Sequence, residues 1–342
     1  MRHAFLFAAF LALTGTVLAS PYKEVRDTSV SCSNGMTCEL SLKGVGENNE
    51  LYSVALNRAP GPDTPLKLVV RTSSLLAEGS KISFVVDGKE ALSLAISDFD
   101  LFADDSEYTA KNTEDGRRLF ALLKNGASFK VLFTAEKPGE SSFSLAGVAG
   151  AGLFMDEAQG RLDAKDALVR VGAKETVASA VRDIIDFDQL PPAIRPDFES
   201  PESDCGFVEE LRFRYGQGFA VRIADDTELY VLPCALGGAY NQPYAFYRLY
   251  DGKAFEVPLP YMTDEGPTTT SGAVNVDWDQ PSRTLTAFDK GRGLGDCGVW
   301  DKWRLSDDPV DVRFVLVESR IKDDCDGEGE GPETWPLIWP RK

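Results

Sequence analysis

The stretch "TSVSCSNGMTCELSL", residues 28–42, predicts a β-hairpin closed by a cross-link. Asn34-Gly35 tolerates positive φ angles and marks a tight turn between two strand-like runs. Cys32 and Cys38 stand at equal distances from Gly35 along the chain, so their side chains can face each other across the hairpin. The first ordered segment of the chain is therefore expected to be antiparallel β structure.

The same pattern of short runs and turn dipeptides continues on the C-terminal side of the hairpin. Asp87-Gly88 and Asp251-Gly252 are typical turn pairs between such runs. Two stretches have helical periodicity instead, Asn112–Lys124 and Val148–Leu162. We therefore predict a mainly β protein with two domains. The N-terminal domain is expected to be β-sandwich-like with two helices, and the C-terminal domain an antiparallel β meander or barrel.

Prolines and a change of composition place the domain boundary. Residues 20–165 are predicted to form the N-terminal domain and residues 204–342 the C-terminal one. Residues 166–203 are predicted to be a linker, with a short helix over Thr176–Ile185 followed by a proline-rich stretch from Leu190.

The first nineteen residues have the pattern of a secretory signal peptide. Arg2 supplies the positive charge, Ala4–Leu13 is apolar, and Val17-Leu18-Ala19 suits a signal peptidase. The apolar run is too short to span a bilayer as a helix, although an N-terminal anchor is the alternative. Cleavage after Ala19 and a periplasmic location are the expectation, with no membrane span elsewhere in the chain.

Six cysteines follow the predicted cleavage site. An even number of cysteines in an exported chain indicates disulfides. Of the 15 possible pairings, we predict the sequential set. A zinc site is the alternative, but no pair of cysteines has CxxC spacing. The predicted bonds are Cys32–Cys38, Cys205–Cys234 and Cys297–Cys325.

Composition excludes several classes of function. The only histidine is His3, so a chain that has lost its leader contains none, and Ser-His-Asp or Cys-His catalysis and histidine-ligated metals are excluded. Loss of Arg2 leaves 35 basic against 54 acidic residues, a net charge of −19. Such a surface repels nucleic acid and favours a protein partner or a small neutral or cationic ligand. No cofactor and no metal are predicted.

The segment "GRGLGDCGVW", Gly291–Trp300, raises the possibility of a phosphate loop. The glycine spacing does not fit a dinucleotide fingerprint, and the lysine of a P-loop is missing. A tight corner held by Cys297 is the preferred interpretation. Arg292 and Asp296 would form an ion pair on that corner or face a ligand.

An aromatic cluster in Leu232–Gly252 is typical either of a recognition surface or of a β core. Taken with the glycine corner, it defines a candidate surface for a ligand or partner. The residues of this surface are Tyr240, Asn241, Arg292, Asp296 and Trp300.

Acidic residues suggest two further sites. The acidic loop Asp323–Glu333 resembles a cation loop but lacks the spacing of an EF-hand, so a solvated loop is the preferred interpretation. Asp277, Asp279 and Asp296 are the carboxylates that a glycosidase of this chain would use.

Five stretches together resemble the bacterial envelope family known as domain of unknown function 1176. They are the Cys32–Cys38 hairpin, "FMDEAQGRLDAKDALVRVGAK" (154–174), "LPCALGGAYN" (232–241), "GRGLGDCG" (291–298) and the late Cys325 before Trp335. The N-terminal half also resembles, more weakly, the invasion-associated locus B family of exported proteins, which implies a small β-rich domain. The family supplies no reaction, cofactor or catalytic residue.

These observations predict an exported periplasmic protein that binds or interacts and is not an enzyme. One alternative is an inhibitor of a cationic enzyme such as a lysozyme or protease, which the acidic charge favours. The other alternative is a carboxylate-based glycosidase.

Overall fold

The structure is a computed structural model that describes residues 20–45, 51–102, 106–134, 138–208, 213–214, 217–235, 237–263, 265–308, 311–327 and 331–340. The fold is mainly β, and every pair of neighbouring strands is antiparallel, as predicted from the turn dipeptides.

Two sheets form the first half of the chain. The seven-stranded sheet has the order β1-β2-β3-β5-β6-β10-β9, and the five-stranded sheet has the order β4-β12-β11-β7-β8. The strands are β1 (Tyr22–Val25), β2 (Thr28–Cys32), β3 (Cys38–Leu42), β4 (Gly44–Val45), β5 (Leu51–Arg58), β6 (Lys67–Thr72), β7 (Lys81–Val86), β8 (Lys89–Ala95), β9 (Phe99–Phe102), β10 (Glu107–Ala110), β11 (Phe129–Thr134) and β12 (Gly139–Phe143).

Alternation of apolar and polar residues explains why these sheets pack face to face. In β11, Phe129, Val131 and Phe133 are buried while the residues between them are exposed. They share one core with buried residues of the other sheet, including Leu40 and Val70. The predicted β-sandwich-like half is therefore confirmed.

Both predicted helices are present in this half. They are α1 (Asp115–Leu123) and α2 (Val148–Ala158), each shorter by a few residues than its periodic pattern. Helix α2 begins after Gly147, whose φ is 101° and whose Cβ, if it had one, would lie 1.8 Å from the Val25 carbonyl oxygen. Glycine is thus required where this helix approaches the end of β1.

Three sheets form the second half. Their orders are β13-β14-β15-β16-β17 with β20 also paired to β16, then β18-β19, and β21-β22-β23-β24-β25. The strands are β13 (Val181–Ile184), β14 (Gly218–Ala224), β15 (Thr227–Pro233), β16 (Pro243–Tyr250), β17 (Lys253–Glu256), β18 (Leu259–Thr263), β19 (Gly266–Thr270), β20 (Gly272–Val274), β21 (Val276–Asp279), β22 (Thr284–Lys290), β23 (Gly298–Leu305), β24 (Phe314–Lys322) and β25 (Leu337–Trp339). None of the sheets in the described ranges closes into a barrel, so of the two predicted forms the meander is the one observed.

A second core lies between the larger sheets of this half. Phe246 of β16 and Phe314 of β24 meet edge to face with ring centroids 5.9 Å apart. Trp303 belongs to the same core and is only 1% exposed. A third core covers the other face of the β13–β17 sheet. There the short helix α3 (Pro196–Glu199) packs through Phe198 against Phe213.

The prediction of a short helix over Thr176–Ile185 is wrong. Residues 181–184 form β13, which pairs with β14 along four residues. Val181 and Ile184 are buried in that sheet, so strand pairing with a partner almost forty residues away overrides the local helical pattern. The segment predicted as a linker thus supplies a strand and helix α3 to the second half.

The Cys32–Cys38 hairpin joins the two halves through its turn, residues 33–37. The Asp183 carboxylate accepts hydrogen bonds from Ser33 Oγ at 2.8 Å, from the Gly35 amide at 3.1 Å and from the Thr37 amide at 3.2 Å. On the other side, Asn34 donates to the Val276 carbonyl at 3.1 Å. Its Oδ1 atom accepts from the Trp278 amide at 2.9 Å. The turn is therefore held on both sides by the C-terminal half.

The six cysteines lie in three pairs at disulfide-bonding distance. The pairs are Cys32–Cys38, Cys205–Cys234 and Cys297–Cys325, the same set that the sequence predicted. Cys32 and Cys38 face each other in the register of β2 and β3, as the symmetry of the hairpin requires.

Across the described ranges, no helix has the length and apolar character needed to cross a membrane.

Candidate functional site

The segment 289–298, here called the glycine corner, connects β22 to β23. The Gly291 amide donates to the Cys297 carbonyl at 3.0 Å, and the Gly295 amide donates to the Arg292 carbonyl at 2.9 Å. Gly298 has a φ of 135°, and a Cβ there would lie 2.1 Å from the Asp289 carbonyl oxygen. The close approach of backbone to backbone at Gly298 is the geometry of a tight glycine corner.

Arg292 and Asp296 form a bidentate ion pair on this corner. The distances are 2.8 Å from Arg292 Nε to Asp296 Oδ1 and 2.5 Å from Nη2 to Oδ2. The guanidinium, together with the Gly327 amide, holds the pKa of the Asp296 carboxyl well below its usual range. The charges of Arg292 and Asp296 are therefore paired with each other. The bond from the Gly327 amide to Asp296 ties the corner to the loop after β24.

Tyr240 and Asn241 lie against the same corner. Asn241 Nδ2 donates to Asp289 Oδ1 and to the Lys290 carbonyl, both at 2.9 Å, and its Oδ1 accepts from Asn275 at 2.8 Å. The Tyr240 ring is 42% exposed beside Gly293. Four of the five predicted surface residues therefore meet, and Asn241 positions the carboxylate of Asp289.

Trp300, the fifth predicted surface residue, is not part of an exposed surface. It is only 5% exposed in β23, so its ring is not available as a binding surface. The aromatic cluster divides in the same way. Phe246, Tyr244 and Tyr247 are buried, whereas Tyr250 and Tyr240 are exposed.

A cavity of about 310 Å³ opens beside Asp289, between β18–β20 and the β22–β23 pair. We call it the Asp301 pocket. Every second residue over 287–289 of β22 and over 299–303 of β23 faces the pocket. The register of the two strands places Ala287 opposite Asp301 and Asp289 opposite Val299. The lining residues are Tyr261, Thr270, Gly272, Ala273, Val274, Ala287, Asp289, Val299, Asp301 and Trp303.

Asp301 is the unusual residue of this pocket. Its side chain is buried, and its Oδ1 atom has no hydrogen-bond partner among the described residues. Burial raises the pKa of Asp301 to about 6, against a smaller opposing effect of the Ser319 hydroxyl. The pKa of Tyr261 is raised by burial and by the negative charges of Asp301 and Asp289. No lining residue is basic, so no positive charge in the pocket wall offsets the carboxylates of Asp301 and Asp289.

Sequence reasoning missed Asp301, because the alternation of inward and outward positions along its strand was not considered. Val299 and Trp303 line the pocket, and Asp301 lies between them on the same face of β23. A carboxylate at an inward position of a strand was the signal that could have identified this residue.

A larger groove of about 560 Å³ lies between the two halves, lined by Glu39, Arg71, Glu107, Asp183 and Arg214 among others. Its charges compensate one another. Arg71 forms ion pairs with Glu39 at 2.7 Å and with Glu107 at 2.8 Å. The Asp301 pocket is the stronger candidate site because its acceptor is left unpaired.

The carboxylates proposed for a glycosidase are engaged elsewhere. Asp277 accepts from Ser20, Asp279 accepts from the Ser282 amide at 3.1 Å, and Asp296 is paired with Arg292. None of the three lines the Asp301 pocket. Asp277 and Asp279 share one face of β21, on either side of the buried Trp278.

The acidic loop Asp323–Glu333 is described in part, since residues 328–330 lie outside the described ranges. Lys322 Nζ bonds Asp326 at 2.7 Å, and Cys325 ties the loop to the glycine corner. Within the described part of the chain, no three acidic, cysteine or histidine side chains are grouped so as to hold a metal ion.

The segment 154–174, which carried part of the family resemblance, builds a buried ionic cluster. Arg58 and Asp156 form an ion pair at 2.7 Å in which both side chains are fully buried. The Asp156 carboxylate also accepts from the amides of Leu168 and Val169, at 2.8 and 3.0 Å. Arg161 binds Asp166 and carbonyls of the loop after β5. The motif therefore closes one end of the first half.

Comparisons with known proteins agree with the motifs. The chain is 26% identical over 369 residues to the "Uncharacterized protein YpfG" of Escherichia coli (strain K12), with 99% of each chain covered. No solved structure matches. The weaker resemblance to the invasion-associated locus B family stays a prediction. Residues 22–342 match the family described as protein of unknown function (DUF1176), and the chain belongs to that family.

Proposed function

We propose that this chain is an exported, non-enzymatic binding protein of the periplasm that takes a small cationic or neutral ligand in the Asp301 pocket. The single observation that carries the ligand class is the unpaired Asp301 Oδ1 in a cavity without a basic lining residue. A bound cation would supply the missing positive charge and offset the burial of the carboxylate.

The aromatic walls support the same class of ligand. Trp303 donates its indole N–H to the Pro260 carbonyl at 2.7 Å, which fixes the ring at one side of the pocket. Tyr261 of β18 also lines the pocket. Aromatic faces and carboxylates together favour organic ammonium groups, and the apolar walls also suit a neutral ring.

Export rests on separate observations. The first nineteen residues have the order of charge, apolar run and small residues of a signal peptide, and the structure brings all six cysteines into pairs. Disulfides form and persist in oxidising compartments. The acidic balance of 36 basic against 54 acidic residues favours attraction of cations from solution.

Calorimetric titration and thermal-shift measurements with choline, putrescine and glucose test the pocket. We expect saturable binding and a raised melting temperature with at least one probe, because a ligand that prefers the folded state stabilises it. The Asp301→Asn variant removes the charge with little change of shape and should weaken binding of the cations by roughly tenfold or more. Glu265→Gln, at the exposed turn between β18 and β19, removes an equal charge outside the pocket and should bind as the natural protein does.

A cationic probe that binds equally well to the natural protein and to Asp301→Asn would place its site elsewhere and would refute this assignment. Absence of binding by all three probes would refute the proposed ligand class.

A second candidate is inhibition of a cationic enzyme, which the net charge of −18 favours. Stoichiometric inhibition of a basic lysozyme or protease that weakens as salt rises would support it, because screening reduces long-range attraction. Inhibition that does not change with salt would remove the electrostatic basis of this candidate.

A further inference from the structure

Ser20 makes an unusual set of contacts for a residue at the start of the described chain. Its backbone nitrogen lies 3.3 and 3.4 Å from the two carboxylate oxygens of Asp277. Its hydroxyl donates to Asp277 Oδ1 at 2.5 Å and lies 3.1 Å from Asn34 Oδ1. One residue thus faces a carboxylate of the other half, 257 positions away, with both of its donors.

The backbone on either side of this contact is fixed by other hydrogen bonds, both near Ser20 and near Asp277. The Cys32 amide donates to the Pro21 carbonyl at 2.8 Å, and β1 pairs with β2 from Tyr22 onward, so the backbone just after Ser20 is fixed. On the other side, the residues flanking Asp277 are both hydrogen-bonded to Asn34. The nitrogen of Ser20 is therefore presented to the carboxylate by the fold.

Asp277 lacks a cationic partner in this arrangement. It is partly buried, and no lysine or arginine of the described ranges forms an ion pair with it. Burial raises the pKa of Asp277, against the opposing hydrogen bonds from Ser20. An amide nitrogen offers a single hydrogen and no net charge, which leaves most acceptor positions of the carboxylate unused.

We propose that cleavage after Ala19 creates the cation that this site is built to hold, so that the α-ammonium of Ser20 pairs with Asp277 and clasps the two halves of the mature chain. This inference rests on the proposed export and processing. In the cleavage, a signal peptidase adds water across the Ala19–Ser20 peptide bond. Ala19 leaves with a carboxylate, and the Ser20 nitrogen becomes an ammonium with three donors and a positive charge. The uncleaved chain cannot form this ion pair.

The geometry gives the pairing a physical advantage over a surface salt bridge. Both groups are already placed by backbone pairing, so little side-chain freedom is lost when the charge appears. The partly buried position reduces screening by solvent. The clasp connects Ser20, two residues before β1, directly to β21, next to the turn that also joins the halves.

The test compares four proteins that begin at Ser20. They are the natural sequence and the Asp277→Asn variant, each with a free or an acetylated N-terminus. Acetylation of the natural sequence should lower the melting temperature by roughly 1–2 °C, the shift that about 1 kcal/mol produces in a chain of this length. In Asp277→Asn the same acetylation should change it by less than about 0.5 °C, because no carboxylate remains to lose its partner.

Asp279→Asn is the matched control, because Asp279 lies on the same face of β21 but bonds Ser282. Acetylation should lower its melting temperature as much as that of the natural sequence. Acetylation of the natural sequence tests the pairing even where a variant does not fold. An unchanged melting temperature after acetylation, or an equal fall in Asp277→Asn, would overturn the pairing.

Intact-mass measurement of the exported protein separates this inference from the proposed function. A mature chain that begins at Ser20 is the expected result. A mature chain that begins elsewhere would overturn both the clasp and the proposed cleavage position. A chain that begins at Ser20 without the effect of acetylation would overturn the clasp alone, and ligand binding in the Asp301 pocket is measured independently of both.

Discussion

At the scale of single residues, the most informative positions are those where a charged side chain occupies a place made for an apolar one. Asp301 stands in the inward row of β23 between Val299 and Trp303. Burial of a carboxylate without a partner lowers the stability of the folded state, so its retention in a pocket points to a use outside the packing of the core.

The raised pKa of Asp301 predicts a pH-dependent stability. The carboxyl has a pKa of about 6 in the folded protein and an ordinary value near 3.8 when unfolded. Between these values the folded state binds the proton more tightly, so this residue's contribution to the free energy of unfolding falls as pH rises from about 4 to 6. Asp301→Asn should therefore raise the melting temperature at pH 7 and change it much less at pH 4.

Thermal unfolding of the natural protein and the variant at a series of pH values checks this prediction. The difference between the two proteins isolates Asp301 from other carboxyls with raised pKa values, such as Asp183. A difference that is the same at both ends of the series would contradict it. Glu265→Gln, at an exposed turn outside the pocket, is the control variant.

The buried pair of Arg58 and Asp156 predicts a large loss of stability on substitution. Asp156→Asn leaves the guanidinium buried without a counter-charge and weakens the bonds to the Leu168 and Val169 amides. The expected loss in the free energy of unfolding is about 3–5 kcal/mol. Denaturant titration measures it, with Glu157→Gln on the exposed side of the same helix as the control. A loss below about 1 kcal/mol would show that the pair is not a main support of this half.

The chemistry of these residues was only partly predictable. Arg292 and Asp296 are four positions apart, so their pairing could be proposed from spacing alone. Arg58 and Asp156 lie 98 positions apart, and no local pattern connects them. The contact of Ser20 with Asp277 spans still more of the chain and was likewise not predicted.

At the scale of elements, local rules succeeded where the determining contacts are local. The hairpin turn at Asn34-Gly35, helix α1 and the turns at Asp87 and Asp251 all follow from residues within a few positions of one another. Strand β13 was mistaken for a helix because its pairing partner is β14, beyond the proline-rich segment. Burial against a distant strand decides such segments, and a single sequence does not display it.

Loop length predicts that the cross-links differ in their effect on stability. Cys297–Cys325 closes 28 positions, whereas Cys32–Cys38 closes only 6. On the chain-entropy account, removing the longer link lowers the free energy of unfolding by about 3–4 kcal/mol and removing the shorter by about 2 kcal/mol. Paired Cys→Ala variants and denaturant titration under oxidising conditions measure both losses.

The Cys205–Cys234 pair, with 29 positions, serves as the internal comparison for the longer link. Its removal should cost nearly as much as that of Cys297–Cys325. If the shorter hairpin link proved the most destabilising to remove, loop entropy would not be its main contribution, and its position at the junction of the halves would explain the excess.

At the scale of the whole molecule, specific contacts of the hairpin turn join two β-rich halves. The turn 33–37 lies between Asp183 and the 276–278 segment, and Met36 packs against the cores of both halves. Two domains were expected from composition. We expect the contacts of this turn to control whether the two halves unfold together or separately.

Asn34→Ala tests that coupling. The substitution leaves the Val276 carbonyl and the Trp278 amide without their partner and removes one of the two acceptors near the Ser20 hydroxyl. We expect the natural protein to show one calorimetric transition and Asn34→Ala to show two, because the halves then unfold at their own temperatures. Asn125→Ala is the matched control, since Asn125 also precedes a glycine but lies at the exposed end of α1. Two transitions in the natural protein, or one unchanged transition in Asn34→Ala, would show that the hairpin turn does not couple the halves.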